Sequence, residues 1–252
     1  MSDTKQVQFS QGNLQAVIAG YNGDYTYTAS SWKFAEHQWD YIGYAFAGPY
    51  FKTGNTVDLF GWVGNAASSN TYGLCSYNGS SNLYGSTNVL MNDWGTLAIT
   101  NGGNTPNFGW YTLKKDEWVY LFNTRTTTSG IRYARATVNN VIGVILLPDD
   151  WNASYHALVS ANTADANFTS NPITAAEWTS DFEAHGAVFL PAAGIRDGTS
   201  VSHVNSSGQY WSSTSEGNNY SYQVFFDNSD LNPSSNPSRR YGCSVRLVRD
   251  AE

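Results

Sequence analysis

The chain has 252 residues, of which 41% are apolar and only 13% charged, against 9 Trp, 17 Tyr and 12 Phe, so its core has to be built largely from rings. A net charge of −7, with Arg239 and Arg240 the one adjacent basic pair of the C-terminal half, excludes a polyanion as partner, because nucleic-acid binding rests on clustered Lys and Arg. This aromatic content, with many Gly, Asn and Ser residues, predicts a turn-rich globular chain with long ordered loops, and one domain over 1–252 is the default at this length.

The opening Met1-Ser2-Asp3-Thr4-Lys5-Gln6 is polar and no apolar run follows it, so no secretory signal is expected; whether the protein is made without one or the chain starts after one stays open. No segment is long and apolar enough to predict a membrane span. Gln6-Val7-Gln8-Phe9-Ser10 alternates polar and apolar residues, and Gly12-Asn13-Leu14-Gln15-Ala16-Val17 continues the pattern: a half-buried strand, a turn and a second strand. The rings of Ser31 to Tyr41 are spaced for a partly buried strand and a short turn. From Gly43 to Pro106 the chain is too irregular for defined elements and predicts loops pinned by Trp62 and Trp94.

Leu113 to Phe122 carries apolar residues at 113, 118, 121 and 122, one face of a helix, with Asp116 and Glu117 in the first turns where the helix dipole favours anions. Arg132 to Val138 and Val141 to Leu147 predict a hairpin turning at Asn139-Asn140 and closed by Pro148-Asp149-Asp150. Thr174 and Glu177 have the spacing of a capping box, with Ile173 and Trp178 as its hydrophobic staple. That helix is expected to run through Phe182 and stop near Gly186, with a buried strand following at Ala187 to Pro191. In the last segment, strand-like pieces at Gly208 to Thr214, Tyr220 to Phe226 and Cys243 to Val248 alternate with polar loops, the longest being Asp227 to Arg240. Val224 and Phe226 share one face of their strand, as do Val245 and Leu247 of theirs.

His37, His156, His185 and His203 are scattered, without the short spacing to Cys or acidic residues that a metal site or a triad needs. Asp149-Asp150 follows a buried strand and reads as a turn cap ahead of a catalytic or calcium-binding carboxylate pair. Asp227-Asn228-Ser229-Asp230 has some of the pattern of a calcium loop but lacks its spaced glycine and closing Glu; calcium there stays open as the weaker reading. Cys75 and Cys243 are too few for a disulfide framework or a zinc site and read as two buried thiols, with a single long-range disulfide the alternative. No nucleophile elbow, phosphate loop or dinucleotide fingerprint occurs, so no catalytic residue, cofactor or metal is expected. The Tyr, Ser, Asn and Gly richness near the C-terminus matches adaptable contact loops, with plainly solvated loops as the bland alternative.

Gly208-Gln209-Tyr210-Trp211-Ser212-Ser213-Thr214 and Tyr241-Gly242-Cys243-Ser244-Val245-Arg246-Leu247-Val248 resemble the C-type-lectin-fold variable proteins diversified by diversity-generating retroelements, and the related paralogous surface proteins of gut Bacteroidetes and their phages. Further pieces are similar in the same order: Val7 to Gln15, Trp32 to Asp40, Asp58 to Trp62, Glu117 to Phe122, Val144 to Trp151 and Phe189 to Gly194, so the likeness runs along nearly the whole chain. The resemblance implies an α+β class and the C-type lectin (CLec) fold, with two helices, a small antiparallel sheet and long ordered loops. Its implied parts are N-terminal strands and long loops over 1–110, helices and central strands over 111–204, and a variable ligand-binding region over 205–248.

It further implies a non-enzymatic ligand- or receptor-binding protein of a virion, such as a phage tail, or of a bacterial cell surface, whose partner is a protein or glycan receptor on a cell surface, with no nucleic acid and no membrane insertion. Exchangeable, ligand-contacting positions carry over to Asn205, Ser207, Gln209, Ser215, Asn218, Asn219, Ser221, Tyr222, Asp227, Asn228, Ser229, Asp230, Asn232, Ser234, Asn236, Arg239, Arg240 and Tyr241, whereas Trp211 and the strand from Ser244 to Val248 carry over as fixed scaffold. Cys243 departs from the aromatic residue common at its place. Formylglycine-generating oxidases share this fold but need an active-site cysteine pair that Cys75 and Cys243 do not reproduce, and the Glu-Pro-Asn or Gln-Pro-Asp tripeptides of calcium-dependent sugar lectins are absent. A structural surface or virion protein without diversification is the alternative reading, and an oxidase relative the remoter one.

Overall fold

The computed structural model describes residues 5–23, 26–43, 55–62, 97–103, 109–197 and 200–251. Strand β1 (Val7–Phe9) pairs antiparallel with β15 (Leu247–Asp250), and β5 (Tyr111–Thr112) lies along the other side of β15, so the two ends of the sequence share one sheet. A second sheet has the order β3-β2-β4, from β2 (Leu14–Gly23), β3 (Thr26–Phe34) and β4 (Thr56–Val57). The register Leu14↔Phe34 and Ala16↔Trp32 puts these apolar side chains on one buried face, the outcome that period-two alternation predicts. The second strand runs on to Gly23, past the expected end at Val17. Trp62 is buried as expected and donates from Nε1 to the Ser212 carbonyl at 2.9 Å; Trp94 and Cys75 lie outside the described residues.

The first helix is shorter than its apolar face suggested: α1 (Lys115–Val119) is followed by a π turn at Tyr120–Thr124, and Trp118, Leu121 and Phe122 are buried. Glu117 caps its start by accepting from the Lys114 N–H at 2.8 Å. The hairpin is β6 (Tyr133–Val138) and β7 (Val141–Leu146), with Asn139 and Asn140 both at positive φ, 48° and 67°, as a tight two-residue hairpin turn requires. Strand β8 (Pro172–Ile173) pairs parallel with β6, and β9 (Val188–Pro191) pairs antiparallel with β7.

α2 (Ala175–Glu177) opens with the predicted capping box: Thr174 Oγ1 accepts from the Glu177 N–H at 3.2 Å and the Glu177 carboxylate from the Thr174 N–H at 2.8 Å. Ile173 and Trp178 sit in one apolar cluster, as a staple needs. The helix continues as a π turn (Trp178–Phe182) that stacks Trp178 on Phe182 at 5.4 Å, then a 3-10 turn (Glu183–His185), and ends at Gly186, whose φ of 83° only glycine adopts without strain.

The C-terminal part holds β10 (Ile195–Asp197), β11 (Ser200–Ser202), β12 (Gly208–Glu216), β13 (Tyr220–Phe226) and β14 (Leu231–Ser235), in a β10-β11 hairpin and a β12-β13-β14 sheet. Two expectations are corrected here. The stretch Asp227 to Arg240, read as one polar loop, contains β14, anchored by buried Leu231 and shifted in register around Pro233. Regular pairing of the last strand begins at Leu247, not Cys243, because Cys243 and Ser244 are engaged in isolated bridges to Phe60 and Tyr210. The architecture is thus mixed α+β, mostly strand, with short helices and several small sheets in place of one. No described helix is long and apolar enough to cross a membrane.

Buried arginines join these small pieces. Arg246 donates to the carbonyls of Ser10, Gln38 and Phe189, three separate stretches of chain. Arg135 donates to the carbonyls of Ala164, Ala166, Asp227 and Asp230. Arg125 serves the carbonyls of Leu121, Arg132 and Leu147 and pairs with Asp149 at 2.8 Å, which gives the predicted turn cap a second task. Replacing Arg246 by Met, of similar length but without donors, leaves its carbonyls unpaired and is expected to lower the unfolding free energy by about 3 kcal/mol, read from urea denaturation.

Asp58 is also buried; loss of hydration raises its carboxyl pKa from 3.8 to about 6, against hydrogen bonds from the Ile42 N–H and its own N–H. The folded protein therefore holds this proton more tightly than the unfolded chain, so the stability Asp58 contributes is full below 3.8 and is lost as the pH rises toward about 6. Thermal midpoints measured from pH 4 to pH 7 are expected to fall less steeply in Asp58→Asn, which keeps an acceptor for Ile42 and has no charge to bury.

Candidate ligand-binding groove

The two faces of the β12-β13-β14 sheet have different chemistry, set by the alternation of side chains along each strand. Tyr210, Val224, Phe226 and Leu231 point inward and pack with Leu113 and Trp118 beneath α1. On the other face, Gln209 and Trp211 of β12 lie opposite Phe225 and Gln223 of β13. Trp211 is absorbed by the apolar cluster around Phe60 and Val245, while Gln209, Gln223 and Phe225 form the floor of a groove. Its walls are Ile195 and Asp197 of β10, Ser202 at the end of β11 with His203, Ser206 and Ser207 after it, and Ser235, Pro237 and Tyr241; the cleft encloses about 570 Å³.

The floor is a chain of hydrogen bonds. Cys243 Sγ donates to Gln223 Oε1 at 3.2 Å, and Gln223 Nε2 donates to Gln209 Oε1 at 3.2 Å. Cys243 is a free, buried thiol, and burial pushes its pKa well above the usual thiol range, so it holds its proton. Tyr241 is held at the wall because its neighbours are stitched into the framework: Gly242 and Arg196 exchange backbone hydrogen bonds at 2.8 and 2.9 Å. A Cβ at Gly242 would lie 2.8 Å from Arg196 and 2.9 Å from the Leu59 carbonyl, so this approach needs glycine. Arg240 donates to the Tyr241 hydroxyl at 3.2 Å and stands 3.8 Å from Asp197 across the rim.

Compared with known families, residues 157–248 match a domain of unknown function (DUF8237), less than half of the chain. No curated protein and no solved structure matches the chain. The matched region holds β8 to β14, every residue that lines the groove, and the start of β15.

Of the positions expected to contact ligand, Ser207, Gln209, Asp227 and Tyr241 line the groove and Arg240 flanks it. The others are elsewhere. Arg239 and Ser221 are sealed inside: the Arg239 guanidinium lies 4.3 Å over the Trp62 ring and donates to the carbonyls of Tyr220 and Gly217 and to Ser221 Oγ, which makes both side chains framework. Asn205, at a positive φ of 51°, also has a framework bond, its Oδ1 accepting from the Ile142 N–H at 2.7 Å. Ser215 pairs with Ser221, Asn218 and Asn219 form the hairpin tip, and Tyr222 lies on the opposite face under the Lys115 ammonium at 4.9 Å.

Asp227 to Asp230 make the β13-β14 turn, with Asp227 Oδ1 accepting from the N–H groups of Ser229 and Asp230 and from Ser229 Oγ. Burial opposes the Asp227 charge, but these bonds prevail and hold its carboxyl below the usual range. The carbonyls of Asp227 and Asp230 accept from the Arg135 guanidinium, which ties this turn to β6. Among the described residues no cluster of His, Cys, Asp and Glu is arranged to hold a metal ion. Asn232 turns its Oδ1 to Ser234, and Ser234 and Asn236 are exposed.

The groove residues that composition missed are Gln223 and Phe225, together with the β10-β11 wall. The period-two pattern of β13 contained the signal, since Gln223 and Phe225 alternate with Val224 and Phe226 and so take the opposite face of the strand. A framework role for Arg239 has a direct test. Arg239→Lys keeps the charge but loses the planar donor fork over Trp62 and is expected to cost about 2 kcal/mol. Asn236→Ala, at an exposed site, is expected to stay within about 0.5 kcal/mol of the parent, both measured by denaturant titration.

Proposed function

We propose that this protein is a non-enzymatic binding protein with a C-type lectin fold, a variable protein of a diversity-generating retroelement that meets a protein or glycan receptor on a cell surface through the groove over β12 and β13. Its setting on this reading is a phage tail or a bacterial surface. The observation that carries the proposal is the separation of roles around the groove. Ser207, Gln209, Asp227 and Tyr241 come together at one concave surface, and Arg239, Arg196 and Arg135 hold the surrounding segments chiefly through backbone carbonyls. Side chains at the surface are then exchangeable without loss of the frame beneath them.

The likeness of Gly208 to Thr214 and Tyr241 to Val248 to the variable proteins supports the same reading. The free thiol of Cys243 has an amide oxygen as neighbour and a raised pKa, which gives the oxidase alternative no support.

The test is to sequence the gene and its flanking DNA from independent isolates. Substitutions are expected to cluster at adenine-containing codons for Ser207, Gln209, Tyr241 and the exposed turn positions, sparing Asn205, Ser221 and Arg239, beside a near-identical template repeat and a reverse transcriptase gene. Uniform drift along the chain without a template would assign the protein instead to a fixed structural role on a virion or cell surface.

A further inference from the structure

We infer that the groove takes a neutral, hydroxyl-rich ligand, a segment of uncharged glycan bound without a metal ion; this rests on the reading of the groove as the ligand site. Gln209 is only 5% exposed and lines the groove, yet its Nε2 has no hydrogen-bond partner among the described residues, its Oε1 being used by Gln223. Ser207, also 5% exposed, lines the same space and likewise has a hydroxyl without a hydrogen-bond partner among the described residues. Both residues line the open groove, so a ligand that displaces water there has to replace the hydrogen bonds that it takes away. Turning both floor amides over would present Gln209 Oε1 to the groove instead, so the group that pairs there has to donate as readily as it accepts, which is the property of a hydroxyl.

The rest of the lining fits the same chemistry. Phe225 on the floor and Tyr241 on the wall supply aromatic surface for the C–H groups of a sugar, and the Asp197 and Asp227 carboxylates on the rim accept hydroxyl protons, Arg240 at 3.8 Å from Asp197 offsetting part of their charge. A volume of about 570 Å³ is in the range of small-ligand sites. A peptide added as an extra strand finds no backbone to pair with on the floor: β12 is bonded to β13 on one side, and on the other Ser244 N–H donates to the Gln209 carbonyl while Trp211 N–H donates to that of Ser244. Among the described residues no cluster of His, Cys, Asp and Glu is arranged to hold a metal ion, so the ligand is held through hydrogen bonds and ring contacts.

The test uses the whole chain on printed arrays of neutral, sialylated and sulfated oligosaccharides and on an array of tiled peptides, each in EDTA and in calcium chloride. Ligands that are retained are then titrated calorimetrically against the parent, Gln209→Leu, Ser235→Trp, which fills the groove from its rim, and Tyr222→Ala on the opposite face. Neutral oligosaccharides are expected to be retained in preference to acidic ones and equally with or without calcium, with Kd raised at least about tenfold in Gln209→Leu and Ser235→Trp and unchanged in Tyr222→Ala. Loss of glycan binding in EDTA, retention of acidic glycans alone, or parent-like affinity in both groove variants overturns the inference. Retention of peptides alone, lost in Ser235→Trp, also overturns it while leaving the groove a binding site. Retention of nothing on either array, or binding that Ser235→Trp leaves untouched, removes the groove itself as the ligand site.

Discussion

The structure depends on guanidinium groups buried among backbone carbonyls. Small sheets of mostly short strands, joined by many turns among the described residues, leave many carbonyls without a ladder partner, and leaving them buried and unpaired is expensive. Arginine meets this need because it offers several donors in a fixed fork on one side chain. The same bonds offset the cost of placing a charge in the interior. Arg246 shows the balance: loss of hydration lowers its pKa to about 10, yet it stays charged at neutral pH. The stretches it joins, at Ser10, Gln38 and Phe189, belong to the N-terminal strands and the central sheet, which share no ladder of their own.

Carbonyls are the same in every amino acid, so a frame held through them is largely indifferent to the side chains it carries. Arg239 contacts Gly217 and Tyr220 through main-chain oxygen, and Arg135 reads Asp227 and Asp230 in the same way. Trp62 and Trp211 add a reciprocal pair, each indole donating to a carbonyl next to the other's strand, Ser212 and Phe60. The groove therefore rests largely on contacts that leave its own side chains out of the account, apart from the short amide relay from Cys243 to Gln209 and the Asp227 carboxylate that holds the β13-β14 turn.

What could be read from the sequence was local. Thr174 with Glu177, Asn139-Asn140, Gly186 and the alternation of β2 and β13 each act over a few residues, and each produces the element its chemistry requires. β14 was hidden because Leu231 is its main apolar anchor and its other residues are typical of turns. Arg239 and Ser221 looked like display positions because the resemblance that marked them picks out polar residue types and says nothing of orientation. Their burial follows from Trp62, far away in sequence, lying against the guanidinium. The groove was half legible for the same reason: one wall is the region that the C-terminal motifs marked, and the other is the β10-β11 hairpin, which lacks any local signal of its own.

Strand β14 is outermost in its sheet, and Pro233 sits at its register shift. Proline supplies no N–H, and the shift bends the strand away from a straight ladder, so a second molecule arriving edge-on meets a rim with a missing donor and the wrong spacing. Where copies of the chain come close together, such a rim discourages them from zipping into a continuous ribbon.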